Sequence, residues 1–135
     1  MYKNILVTIA LDHSHDSASA LVIARALAAE GASITALNVL EEIPAYLSQY
    51  LPEDNSKNRR SKAEAALKAE LGSVADVRPV VVNGHAGTTI VDYATKHQID
   101  CIVIASHRPG LQDYFLGSTA SRVVRHAPCA VHVVR

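Results

Sequence analysis

The sequence has no tryptophan, one phenylalanine and one methionine, and aromatic residues make up only 4% of its 135 positions. Core volume must therefore come from Ala, Val, Ile and Leu, a mixture that suits a buried parallel sheet covered by small-residue helix faces. Cysteine is equally scarce. Cys101 and Cys129 each sit in an apolar run with no CxxC or CxxxC partner, which favours buried thiols in a reducing compartment over a disulfide or zinc site. Neither sign of charge is in excess, since 13 basic residues face 13 acidic ones. No long-range field is then available to draw in nucleic acid or anionic lipid, although a local phosphate site remains open. The opening MYKNILVTIAL offers no cleavage region and falls short of the roughly 18 apolar residues of a membrane span. The expectation is a cytoplasmic protein with no nucleic-acid or membrane partner. Two nucleotide motifs are absent as well. DHSHD stands where a dinucleotide fingerprint would place three close glycines, and GKS or GKT occurs nowhere.

What is present is an alternation. Short β-branched runs give way to longer Ala-rich stretches, the pattern of βαβ units, over a length that suits one domain. The first strand is expected at about 3–11, followed by a helix at about 17–30 with Ala20, Leu21, Ala24, Leu27 and Ala28 on one face and Gly31 at its C′ position. A second strand at 33–39 leads into a long loop with a short helical turn. A charged helix follows at about 56–71, with Ala63, Ala66, Leu67 and Leu71 on one side and Gly72 closing it. The remaining units are a strand at 76–82, a helix at 87–97, a strand at 100–105, a helix at 117–126 and a strand at 129–134. The strand at 100–105 is apolar on both faces and is expected to be central, with helices on either side. These elements predict a doubly wound α/β fold, five parallel strands in the order 3-2-1-4-5 with helices on both faces.

In such a sheet the ligand site lies outside the carboxyl ends of the strands. The richest stretch there is IASHRPGLQDYFLGSTASRVV, 104–124, where an apolar strand opens into a Gly/Pro loop and Gly117-Ser118-Thr119 begins a helix. Gly117 allows close backbone approach, and the N–H groups of Ser118, Thr119 and Ala120 with two hydroxyls suit a phosphate. The alternative is that Ser118 or Thr119 simply caps the helix. Arg108, the one guanidinium of the loop, could grip a β or γ phosphate or be solvated. His13, His15, His85 and His107 would also lie at this edge. Strand order sets His85 far from His107, which argues against a three-ligand metal site.

The terminal VVRHAPCAVHVV at 123–134, Gly117-Ser118 before it, Leu37-Asn38-Val39 on the second strand and the apolar first strand together resemble the universal stress protein family, small α/β proteins of which a large branch binds ATP. That family typically shows G-x-x-G, nine residues, then G-[ST]. Here Ala105 and Arg108 stand at the first two glycines, and the loop is one residue shorter, with ASHRP wording similar to short bacterial members that bind ATP. Counting forward from ILV puts Ala10 at the family's acidic position, and counting back from Ala20-Leu21 puts Asp12 there; Asp12 is preferred. The resemblance implies ATP, with or without magnesium, as ligand. Asp12 would face the base or ribose and Val39 would touch adenine through its backbone. Ile104 and Ala105 would line the ribose side, His107 would sit beside ribose or phosphates, and Gly117, Ser118 and Thr119 would hold phosphates. It also implies a homodimer formed by antiparallel pairing of the last strand, with His132 near the two-fold axis. No convergent carboxylate pair or phosphate-binding lysine is evident, so slow or absent hydrolysis is expected. A nucleotide-binding sensor leads; a slow ATP hydrolase or metal-assisted enzyme and a ligand-free dimeric scaffold stay open.

Overall fold

The structure is a computed structural model that describes residues 1–11, 14–41, 44–50, 55–72, 74–106 and 116–135. In chain order its elements are β1 (Tyr2–Thr8), α1 (Ser14–Leu27), β2 (Ala28–Leu40), α2 (Ala45–Ser48), α3 (Asn55–Leu71), β3 (Val77–Asn83), α4 (Ala86–Lys96), β4 (Cys101–Ala105), α5 (Ser118–His126) and β5 (Ala130–Val134). The strands form one parallel sheet in the order β3-β2-β1-β4-β5, as the alternation predicts. β1 is the middle strand; β4, apolar on both faces, lies beside it, between β1 and the edge strand β5.

Alternating side chains divide the core in two. Ile5, Val7, Ile34, Ala36 and Val103 face one way and pack with Ala20, Leu21 and Ala24 of α1 and Ala63, Leu67 and Leu71 of α3. Leu6, Leu37, Ile102 and Ile104 face the other way, against Ile90 and Ala94 of α4 and Ala120 and Val123 of α5. The period of two along each strand and of three or four along each helix produces this double winding. On α3 the buried stripe is narrower than expected: Ala63, Leu67 and Leu71, four apart, are buried, whereas Ala66 is exposed.

Two boundaries differ from expectation. α1 stops at Leu27, because Ala28 already pairs with Tyr2 and opens β2. Gly31, at φ +76°, therefore lies in the irregular start of β2, where the ladder slips between Tyr2 and Asn4, and not at the C′ position of α1. β1 ends at Thr8, although the Ile9 N–H still donates to Leu37 O at 2.8 Å and carries the ladder one residue further.

The amino-terminal edge of the sheet is fastened by Asp100. Its carboxylate accepts the N–H groups of Lys3 (2.8 Å) and Asn4 (3.0 Å), and its own N–H donates to Asn4 O at 3.0 Å. Asn4 Nδ2 in turn donates to His97 O at 2.8 Å, which joins the start of β1 to the turn before β4. Among the described residues no helix is long and apolar enough to cross a membrane.

Candidate functional site

Where β1 and β4 leave the sheet their chains part, and a cleft of about 620 Å³ opens over the carboxyl ends of the strands. Small-molecule sites are commonly of this size, roughly 300–1,000 Å³. Its floor comes from the ends of β1, β2 and β4, and one wall is the first turn of α5.

That turn has an unusual entrance. Gly117 occupies the N-cap position at φ +76° and ψ 151°, a region open essentially only to glycine, and no side chain caps the helix. The first helical bond runs from Ser121 N–H to Gly117 O (3.0 Å), so the amides of Ser118, Thr119 and Ala120 have no intrahelical acceptor. Of the two readings of this segment, capping by Ser118 or Thr119 is thereby removed: both lie inside the helix, after its glycine cap. Three N–H donors, the positive end of the helix dipole and two hydroxyls border the cleft together.

The opposite end is set by β2. Asn38 is 7% exposed, in a strand otherwise apolar at this point, and its Nδ2 donates to Ile9 O at 2.8 Å. This bond ties the ends of β1 and β2 where both enter the cleft. Among the described residues its Oδ1 is buried without a partner. On α3, Arg59 borders the cleft and donates from Nη2 to Glu41 O at 3.2 Å. Its neighbour Arg60 is used differently, with Nη2 on Val81 O (3.0 Å) and Nε on Glu64 Oε1 (3.1 Å), anchoring α3 to β3. Among the described residues Arg59 and Glu41 are the charged side chains of the cleft.

Residues 1–135 match the family model described as the universal stress protein family. The chain belongs to this family. It is 32% identical over 140 residues to a universal stress protein of Thermus aquaticus, with all of both chains covered. The structure of the universal stress protein UspA from Lactobacillus plantarum is 30% identical, covers 99% of this chain and 98% of its own, and superposes with a TM-score of 0.68. A universal stress protein solved in complex with cAMP shares the fold at 20% identity and a TM-score of 0.71, with 99% and 97% covered.

In this universal stress protein, the sequence-predicted residues Val39, Ile104, Ala105, Gly117, Ser118 and Thr119 all line the one cleft. Asp12, His107 and Arg108 lie outside the described residues. So do His13 and the side chain of His15. His85 is exposed at the N-cap of α4, and among the described residues no three metal-ligating side chains come together. Sequence reasoning missed Asn38 and Arg59. A polar residue inside the run SITALNVL was a usable signal for Asn38. Arg59 had none, because it belongs to a helix face dense in charge.

The thiols conform in part. Cys101 is buried, and burial pushes its pKa up to about 11; Cys129 is raised for the same reason. Cys129, however, is only half-buried, since it precedes an edge strand covered on one side by β4.

Proposed function

We propose that this universal stress protein binds an adenine nucleotide, ATP, in the cleft over β1 and β4, and turns it over slowly or not at all. The observation that carries the reading is the uncapped first turn of α5, opened by Gly117 and facing a cleft of nucleotide size. Directed amides and a helix dipole suit phosphate, while Val39, Ile104 and Ala105 supply the apolar and backbone surface that a base and ribose require. On the family resemblance we assign Asp12 to the base or ribose, His107 to the ribose or phosphates, and Arg108 to the phosphates. The relative solved with cAMP shares the fold alone with this chain, so the case rests on the chain's own cleft.

Among the described residues the cleft offers a single carboxylate, Glu41. A magnesium ion brought by ATP would be held at least in part through phosphate oxygens. The sequence holds no GKS or GKT lysine to neutralise the leaving phosphate, which supports storage or sensing over hydrolysis. β5 is the edge strand, with Ala130 and His132 exposed. Such an edge is usually paired or protected, and we assign it to a homodimer with antiparallel β5 strands. Two free cysteines agree with a cytoplasmic setting.

Mass spectrometry of what denaturation releases from freshly purified protein, followed by calorimetric titration of the emptied protein with ATP, tests the reading. Micromolar to submillimolar ATP binding is expected. Absence of binding at millimolar ATP removes it and leaves a dimeric scaffold.

A further inference from the structure

Asn38 has an amide with two ends and uses one. Its neighbours Leu37 and Val39 pack on the α4 and α5 side of the sheet, so alternation turns Asn38 to the side of α1 and α3, where Ser17 and Arg59 also border the cleft. There Nδ2 donates to Ile9 O. The bond fixes which way the amide points, because the reverse orientation would set two carbonyl oxygens against each other. Among the described residues Oδ1 is left as a buried acceptor with no donor, a state in which a group loses water and gains nothing in exchange.

Asn38 borders the cleft, and a donor brought there by a ligand would relieve this acceptor. We propose that Asn38 determines base specificity, favouring a purine with an exocyclic amine at its six-position over one with a keto oxygen there. This inference rests on the nucleotide reading above and adds the group that selects the base. The arrangement of the cleft agrees with it. Phosphate belongs at α5, which leaves the base to the β2 end, and the planar guanidinium of Arg59 there offers a surface on which a ring can stack. An amine N–H relieves the orphaned Oδ1. A keto oxygen confronts it with a second acceptor, and a site holding an unpaired polar group rejects such an analogue strongly.

Calorimetric titration of the full chain with ATP and with ITP, which replaces the amine by a keto oxygen, tests the proposal. Wild type should hold ATP about ten- to a hundredfold more tightly. Asn38→Leu should bring the two affinities to within about threefold, chiefly by losing ATP affinity. Asn38→Asp, which keeps the acceptor and drops the bond to Ile9, should retain the ATP preference at lower thermal stability. Equal affinity of wild type for the two nucleotides overturns the role of Asn38 while leaving nucleotide binding intact. A folded Asn38→Leu variant with undiminished preference does the same. Failure of wild type to bind either nucleotide overturns both. If Asn38→Leu does not fold, the wild-type ratio and the Asn38→Asp variant decide.

Discussion

Among the described residues, a β-carbon at position 117 would meet only Ser106 O, at 3.8 Å, while the backbone at φ +76° by itself calls for glycine. Forcing an L-residue into that region costs of order 1–3 kcal/mol, and the strain falls on the turn that presents the α5 amides. Gly117→Val is accordingly expected to lower ATP affinity by up to about a hundredfold, and Ser118→Ala, which removes one charged hydrogen bond, by about ten- to a hundredfold. Both are read by calorimetric titration, and a Gly117→Val variant that binds like wild type would remove the assignment. Asp12→Ala should instead weaken adenosine compounds relative to free triphosphate. Cys101 carries a pH signature. Its thiol is raised from 9.0 to about 11 in the fold by burial, so it stays protonated where the unfolded thiol ionises. The stabilisation is complete below about pH 9 and declines as pH climbs toward 11. Urea midpoints at pH 8 and pH 10.5 should differ less in Cys101→Ala than in wild type. The family resemblance supplies Val39 and Ile104, and both strands end at the cleft, where topology sets a ligand site in such a sheet. Asn38 and Arg59 were not legible, because their value depends on which hydrogen bonds each amide or guanidinium leaves unused.

Between elements, α4 and α5 approach closely. A β-carbon on Gly87 would lie 2.7 Å from Arg122 Cδ and 3.2 Å from Arg122 Cβ, so the stem of Arg122 lies across α4 at this glycine. A larger residue must move the helices apart, and overpacking of that kind typically costs about 1–3 kcal/mol. Gly87→Leu should lower the urea midpoint by a corresponding amount. Because Ala86 and the first turn of α5 both border the cleft, it should also weaken ATP binding without touching the ligand. Two-period strands and i, i+4 helix stripes made most elements readable in advance. The end of α1 was misread for a physical reason: Gly31 has the positive φ of a helix C′ residue, but pairing of Ala28 with Tyr2 ends the helix at Leu27, three residues before the expected end. Local sequence does not report a competition settled by a strand elsewhere in the chain.

At the scale of the whole molecule, the proposed dimer places each His132 close to its own copy, as a residue near a two-fold axis must be. His132→Glu would set two carboxylates against each other there, and sedimentation velocity at micromolar concentration should show dimer for wild type and a shift toward monomer for the variant. Wild type sedimenting as monomer would dispose of the β5 interface. The central place of β1 has a further consequence, in the order of synthesis. Of these five strands β1 is the first to leave the ribosome, yet one of its two neighbours, β4, begins at Cys101, and the Asp100 carboxylate that fastens Lys3 and Asn4 comes just before it. At about 5–20 residues per second, the intervening chain takes roughly 5–20 s to make. Through that interval the nascent chain carries Ile5, Leu6 and Val7 with one ladder edge open, far longer than hydrophobic collapse takes. The fold must therefore close after translation has passed residue 105, and a chaperone that shields apolar β edges has seconds in which to engage β1.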